Sequence, residues 1–287
     1  MSTSTHHHVK RVWMITGAAR GIGARLTEAA LAHGDAVVAT SRDTTAIQQR
    51  FGDHEAVLAL SLDVTQEAQA HHAVETALAR FGRIDVLVNN AGYGLLGAVE
   101  EASADEVRCL YETNVFGLLN VTRAVLPALR ARRQGHVINI SSLGGYQSAA
   151  GFGVYCSTKF AVEGLSEALH TELQPLGIHV TVVEPGYFRT DFLDTQSLSV
   201  SPRVLSDYAE SAGQVREAAR RINQNQPGDP VRLAQALVQL VESPTPPLRL
   251  PLGSDTLKTI RDKHAFVEQE TVAWQTLAAS TDFPAAH

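Results

Sequence analysis

Thr16-Gly17-Ala18-Ala19-Arg20-Gly21-Ile22-Gly23 follows a short apolar run, Arg11 to Thr16, and opens a stretch, Ala24 to His33, whose apolar residues recur at helical spacing. A strand, a glycine turn and a helix in that order can bind a diphosphate. Glycine permits the tight turn and lets the backbone come close, and free amides at a helix start favour negative charge. Taken without its neighbours, the pattern reads equally as an ordinary glycine-rich loop. The flanking strand and helix favour a dinucleotide.

Outward from this turn, Val- and Ile-rich runs alternate with spans of helical period. Candidate strands are Arg11 to Thr16, Ala36 to Thr40, Ala56 to Ser61, Ile84 to Asn89, His136 to Ser141 and His179 to Glu184, with a seventh near Leu248 to Leu252. They are continuous in apolar residues instead of alternating, as expected when helices cover both faces of a parallel sheet. The expected class is α/β, a single Rossmann-type doubly wound parallel sheet of about seven strands with helices on both faces. After Pro185-Gly186 the rhythm changes, which suggests a lid over about 187–227, then a helix from about Asp229 to Val241 and a Pro-rich turn at Ser243 to Pro247. Residues 254–287 have a helical pattern around Trp274 and are expected to pack as an extension on the same body. No linker divides the chain, so residues 10–287 read as one domain, preceded by a disordered arm over 1–9. His6, His7 and His8 belong to that arm, native or appended, and are not read as a metal site.

Composition narrows the function. Of 287 residues 44% are hydrophobic and 19% charged, which supports a sizeable core, and the net charge of -6 argues against gripping a phosphate backbone as the main task. Two cysteines, Cys109 and Cys156, provide neither a disulfide framework nor a structural zinc site and suit a reducing compartment. The start has no apolar core for a signal peptide and no run approaches 18 apolar residues, so a cytoplasmic protein without membrane or nucleic-acid partners is expected. Lys159 is the one lysine between Lys10 and Lys258.

The glycine spacing, Gly-x-x-x-Gly-x-Gly, differs from the dehydrogenase fingerprint Gly-x-Gly-x-x-Gly. With Asn89-Asn90-Ala91-Gly92, Asn114, Ser142, Tyr155-x-x-x-Lys159 and Pro185-Gly186, it resembles in order the motif set of the short-chain dehydrogenase/reductase family, over roughly residues 10–253. Val183 to Thr190 resembles the branch akin to 17β-hydroxysteroid and retinol dehydrogenases. The resemblance implies that Gly17, Arg20, Gly21, Ile22 and Gly23 border the diphosphate of NAD or NADP. It further implies that Asn90, Ala91 and Gly92 support the sheet and touch the cofactor, that Asp63 and Val64 flank the adenine, that Pro185 and Gly186 border the cofactor, and that Thr190 touches the nicotinamide carboxamide. Read as bare residues, Asp63 and Val64 would be a cap and a core position.

The end of the second strand selects between the cofactors. An acid there would bind both ribose hydroxyls of NAD and repel a 2′-phosphate. This chain offers Ser41 and Arg42, a hydroxyl donor and a planar fork suited to phosphate, with Arg20 within reach of the same group. NADP is therefore expected over NAD. Asp43 competes for the position but reads more simply as a helix cap.

Tyr155 and Lys159, four apart at a helix start, project from one face. With 6 tyrosines and 4 lysines in 287 residues, such a pair arises by chance on the order of 0.1 times. A free phenol has a pKa near ~10, and lowering it by ~3 units takes ~4 kcal/mol, which a nearby cation can supply. Tyr155 is thus the expected general acid/base, Lys159 its tuning partner and, by resemblance, the holder of the ribose hydroxyls. Ser142, at the carboxyl end of the fifth strand, can polarise a carbonyl oxygen shared with Tyr155. Asn114 by resemblance holds a water that links Lys159 to solvent; as a bare residue it reads as a helix kink or a core hydrogen bond. Leu143, Tyr146, Phe152, Tyr187, Phe188, Phe192 and Leu193 are expected on the substrate side, and suit a hydrophobic alcohol, ketone or aldehyde. Neither a His-Glu-x-x-His nor a Gly-x-Ser-x-Gly motif is present. The rival reading is an NADP-binding regulator or redox sensor that keeps the fold without turnover. By resemblance, a homodimer or homotetramer forms through the helices around 112–131 and 155–173.

Overall fold

The computed structural model describes residues 9–52 and 54–283. The expected arm, apart from Val9, and with it His6 to His8, lies outside the described residues. β1 (Val12–Thr16) passes through the glycine turn into α1 (Gly21–Ala32), and β2 (Ala36–Ser41), α2 (Thr45–Phe51), β3 (Val57–Ser61) and α3 (Glu67–Phe81) complete the first half. Next come β4 (Val86–Asn89), β5 (Gly94–Leu96), α4 (Ala104–Tyr111), α5 (Leu118–Arg132), β6 (Gly135–Ile140) and α6 (Gly153–Leu173). The chain ends with β7 (Ile178–Pro185), β8 (Leu198–Val200), α7 (Gln214–Ile222), α8 (Pro230–Glu242), β9 (Arg249–Leu252) and α9 (Ser254–Ala279).

Seven strands form a parallel sheet in the order β3-β2-β1-β4-β6-β7-β9. The order changes direction at β1 and β4, and the crevice at their carboxyl ends is where open α/β sheets bind ligands. Strand side chains alternate between two buried faces. Met14, Val38 and Leu87 pack with Val74 of α3 and Val125 of α5, whereas Trp13, Ile15, Val37 and Val88 pack with Leu26 of α1 and Leu237 of α8. The fully buried Trp13 gives its indole N–H to Asp35 (2.9 Å), so its one polar atom is satisfied. All seven expected strands are present, with ends within two residues of those read from the sequence.

Three features depart from the reading. β5 and β8, three residues each, form a second parallel sheet that ties the segment after β7 to the body. Between α4 and α5 the helix widens into a π turn at Glu112–Gly117, a device that re-aims side chains and accumulates at functional sites. The C-terminal extension is helical, but beyond Lys263 every described residue is exposed and Trp274 is 66% exposed. A helix of this length spans about 39 Å. Leu257, Phe266, Val272 and Leu277 are all exposed on it, and no apolar stripe docks its distal half. No helix among the described residues is long and apolar enough to cross a membrane.

Candidate active site

The glycine turn is locked to the end of β4. Thr16 Oγ1 accepts from the amides of Asn90 and Ala91, both at 2.9 Å, and Asn90 Nδ2 donates to the carbonyls of Thr16 (2.8 Å) and Gly17 (3.1 Å). Gly17 sits at φ +66°, in the left-handed region. A Cβ at Gly23 would fall 2.5 Å from the Gly17 carbonyl oxygen. Gly23 therefore lets α1 begin tight against the turn, and it does not line the cleft as expected. Below, buried Asn89 donates to Thr122 (2.8 Å) and Asn139 (2.9 Å), and Asn139 donates to Ser166 (2.9 Å), a polar seam that holds β4, β6, α5 and α6 in register.

Above the turn opens a cavity of about 930 Å³. Apart from Gly23, the expected cofactor residues border it: Gly17, Arg20, Gly21 and Ile22; Ser41 and Arg42; Asp63 and Val64; Asn90, Ala91 and Gly92; and Pro185, Gly186 and Thr190. This cradle, close to backbone on one wall and ending at a helix start, fits a dinucleotide. Arg42 is exposed and has no carboxylate partner among the described residues. Arg20 instead donates to the Gln196 carbonyl and to Gln196 Oε1 (3.1 Å), so it fastens the segment between β7 and β8 and leaves Arg42 as the guanidinium beside Ser41 without such a partner among the described residues. Asp43 Oδ1 accepts from Thr45 Oγ1 (2.6 Å) and Thr45 N (2.8 Å), which lowers its pKa; the N-cap of α2 is Thr44, so Asp43 closes a turn one residue before the cap position expected of it. Asp63 makes the same turn onto Thr65 (3.0 and 2.8 Å) while lining the cleft.

Ser142, Tyr155 and Lys159 meet at the floor of the cavity. Ser142 Oγ accepts from Gly144 N (3.0 Å), which fixes its rotamer, and lines the cavity together with Tyr155. Tyr155 is 7% exposed between Phe152 and Phe192, with ring centres 6.1 and 5.5 Å away. Burial raises its pKa well above the ordinary value of 10.0, and the nearby Ser142 hydroxyl opposes the shift. The expected lowering by Lys159 is thus not seen in the protein alone. Lys159 is itself pushed down to about 8 by burial, and its Nζ donates to the Ile140 carbonyl (2.9 Å). Asn114 sits in the π turn, 1% exposed and outside the cavity lining. Its amide donates to the Tyr93 carbonyl (2.9 Å) and Thr158 Oγ1 (3.1 Å) and accepts from Tyr93 N (3.0 Å), stitching the β4 loop to α6.

Leu143, Phe152, Tyr187, Phe188, Phe192 and Leu193 line the same cavity. Tyr146 does not. The short helical turn Leu143–Gly145 carries it to the outer side of α6, where its hydroxyl meets His264. Sequence reasoning missed Tyr93, Gln147 and Gln196 in the lining, because polar loop residues have no periodicity to betray them. It also missed Asp255, whose carboxylate accepts from Tyr187 N (2.7 Å) and lies 2.2 Å from where a Gly186 Cβ would be. The segment that leaves β7 is therefore pinned to the start of α9.

The short chain dehydrogenase family profile matches residues 11–199. Oxidoreductase BOA17 of Botryotinia fuckeliana is 37% identical over 94% of this chain and 99% of its own length. The 3-ketodihydrosphingosine reductase of Bacteroides thetaiotaomicron is 38% identical over 85% of this chain and 88% of its own. A short-chain dehydrogenase from Streptomyces avermitilis superposes with TM-score 0.89 at 42% identity, covering 95% of this chain and 99% of that one. Two further solved relatives hold nicotinamide cofactors: ElxO with NADP (26% identity, TM-score 0.72, 87% of this chain and 100% of that one) and a 3-ketoacyl-(acyl-carrier-protein) reductase from Brucella melitensis with NADH (28%, 0.72, 85% and 97%). With the sheet order, the glycine cradle and the matched profile in agreement, the chain belongs to the short-chain dehydrogenase/reductase family of oxidoreductases.

Proposed function

We propose that this protein is an NADP(H)-dependent carbonyl reductase or alcohol dehydrogenase for hydrophobic substrates, with Tyr155 as the general acid/base. The observation that carries the proposal is the buried Tyr155 phenol, which shares the floor of the cavity with Ser142 and stands one helical turn from Lys159. Gly17, Gly21 and Ile22 would hold the diphosphate, and Ser41 and Arg42 the 2′-phosphate. When bound, the nicotinamide supplies or accepts a hydride.

The protein's own residues do the rest. Phe152, Phe192, Tyr187 and Phe188 wall the cavity and exclude water from an apolar carbonyl compound. Ser142 Oγ orients the carbonyl oxygen. Tyr155 keeps its proton in this buried setting and delivers it to that oxygen; in the oxidation direction it accepts the alcohol proton. Lys159 places positive charge beside the phenolate formed on transfer. The 3-ketodihydrosphingosine reductase relative supports a hydrophobic ketone as the substrate class. Phe116 on the π turn (48% exposed) and Phe160 on α6 (45%) support association of copies through these helices.

The test is NADPH oxidation over a panel of aldehydes, aliphatic ketones, quinones and steroids, repeated with Tyr155→Phe. Turnover of an apolar carbonyl compound by the wild type and its loss in the variant are expected. Tight NADPH binding without turnover across the panel would instead favour a non-catalytic regulator.

A further inference from the structure

Behind Tyr155 and Lys159, away from the cleft, lies a charge cluster that the chemistry above does not use. Tyr155, Lys159 and Glu163 are successive i, i+4 positions of α6 and share a face. Glu163 is 5% exposed; one carboxylate oxygen takes Arg249, and the other, Oε1, has no hydrogen-bond partner among the described residues. The Ser141 hydroxyl lies next to it. A Cβ on Gly145 would fall 2.4 Å from Ser141 Oγ and 2.9 Å from Glu163 Oε1. From β7, Glu184, fully buried, presents Oε1 to the same Arg249 nitrogen (2.8 Å) and leaves Oε2 unpartnered. Glu167 takes the other nitrogen. One guanidinium thus faces three carboxylates, two of them buried.

A groove of about 580 Å³ connects this cluster to solvent. Tyr146, whose ring lies under the Arg249 guanidinium at 5.6 Å, forms its inner end; Lys263, His264 and Glu268 of α9 form the opposite wall. Burial, with the charge of Glu184, pushes the Glu163 carboxyl up to about 7, while Arg249 and Ser141 oppose. The charge of Glu163 in turn raises the pKa of Lys159 against burial.

We propose that Glu163 is a positioning residue that sets the charge of Lys159 from behind, as a carboxylate that keeps the lysine cationic and that trades its own proton with water through the outer groove. The exchange moves a proton to or from water and breaks no bond between heavy atoms. The proposal rests on the reading of Lys159 as the partner of Tyr155.

The test is the titration of Lys159 in protein labelled with 13C-lysine, followed by NMR. Only Lys10, Lys159, Lys258 and Lys263 contribute signals, and Lys159→Arg identifies the one of interest. In the wild type, the Lys159 signal is expected to titrate in two steps, the lower tracking Glu163. Glu163→Gln should remove that step and lower the lysine midpoint by about one pH unit. Glu184→Gln, which leaves Arg249 to Glu163 with one fewer buried competitor, should move the lower step to more acid pH. A single-step wild-type curve, or curves that neither substitution moves, would overturn the proposal. If Glu163→Gln does not fold, the wild-type curve and Glu184→Gln decide. The readout needs no turnover, so a failed carbonyl screen, which bears on the proposed function, is distinguishable from a failure here.

Discussion

Lys159 Nζ stands 5.8 Å from the centre of the Tyr155 ring and gives its hydrogen bond to the Ile140 carbonyl at 2.9 Å. The pair is one helical turn apart, and the peptide that ends β6 holds the cation in place. Tyr155→Phe removes only the hydroxyl and keeps the packing between Phe152 and Phe192. Turnover should fall by about 10²- to 10⁴-fold, with the melting temperature and NADPH binding nearly unchanged, measured by steady-state kinetics, thermal denaturation and fluorescence titration.

Arg42, beside Ser41 in the cavity lining, has no carboxylate partner among the described residues, whereas Arg20 is committed to Gln196. Arg42→Ala should weaken NADPH at least about tenfold, as the loss of a charge-assisted phosphate contact implies, and leave NADH binding almost unaltered. Arg20→Ala should change the preference less. An equal loss for both coenzymes in Arg42→Ala would refute the assignment.

Glu101 anchors the stretch between β8 and α7. Its fully buried carboxylate accepts from Ala98 N (2.7 Å) and Leu205 N (2.9 Å) and pairs with Arg216 of α7, which is 8% exposed. Glu101→Ala leaves that arginine buried without a partner, a change that costs about 3–5 kcal/mol. The loss should be local. Limited proteolysis within 201–226 is expected to accelerate strongly while the parallel sheet, followed by hydrogen exchange, stays protected.

His136 is buried on β6, bonded to Thr181 Oγ1 at 2.9 Å and edge-on to His179. Burial, and then the charge of His179, lowers its pKa from 6.5 to about 3. A depressed folded-state pKa contributes stability that is fully present above pH 6.5 and lost as the pH falls toward 3. The slope between these limits is about 1.4 kcal/mol per pH unit. Urea denaturation between pH 4 and 7 should show that slope, and His136→Leu should flatten it.

The sheet was legible because each strand, buried on both faces, writes itself as a continuous apolar run. Most of the cofactor cradle was legible because glycines and the Asn90 turn sit at fixed offsets from those runs. Gly23 was assigned to the ligand although its missing side chain serves the Gly17 carbonyl; spacing does not distinguish a glycine needed for a ligand from one needed for a neighbour. Tyr146 was misplaced for a similar reason, since three residues of tight turn after Ser142 reverse the side a side chain faces. β5 and β8 are too short for alternation to register, and their pairing joins residues about a hundred positions apart. Asp255 escaped notice because its partner amide belongs to Tyr187, distant in sequence and adjacent only once β7 and β9 pair.

The chain has two tryptophans: Trp13 on β1 with no exposed surface, and Trp274 on the free part of α9, 66% exposed. The protein therefore contains two spectroscopic reporters with separate subjects. Trp13 should emit at short wavelength and resist iodide until the sheet itself opens. Trp274 should emit at long wavelength, quench readily, and change only when something covers the C-terminal helix. A single emission spectrum, recorded with and without quencher, thus separates the unfolding of the body from events at its appendage.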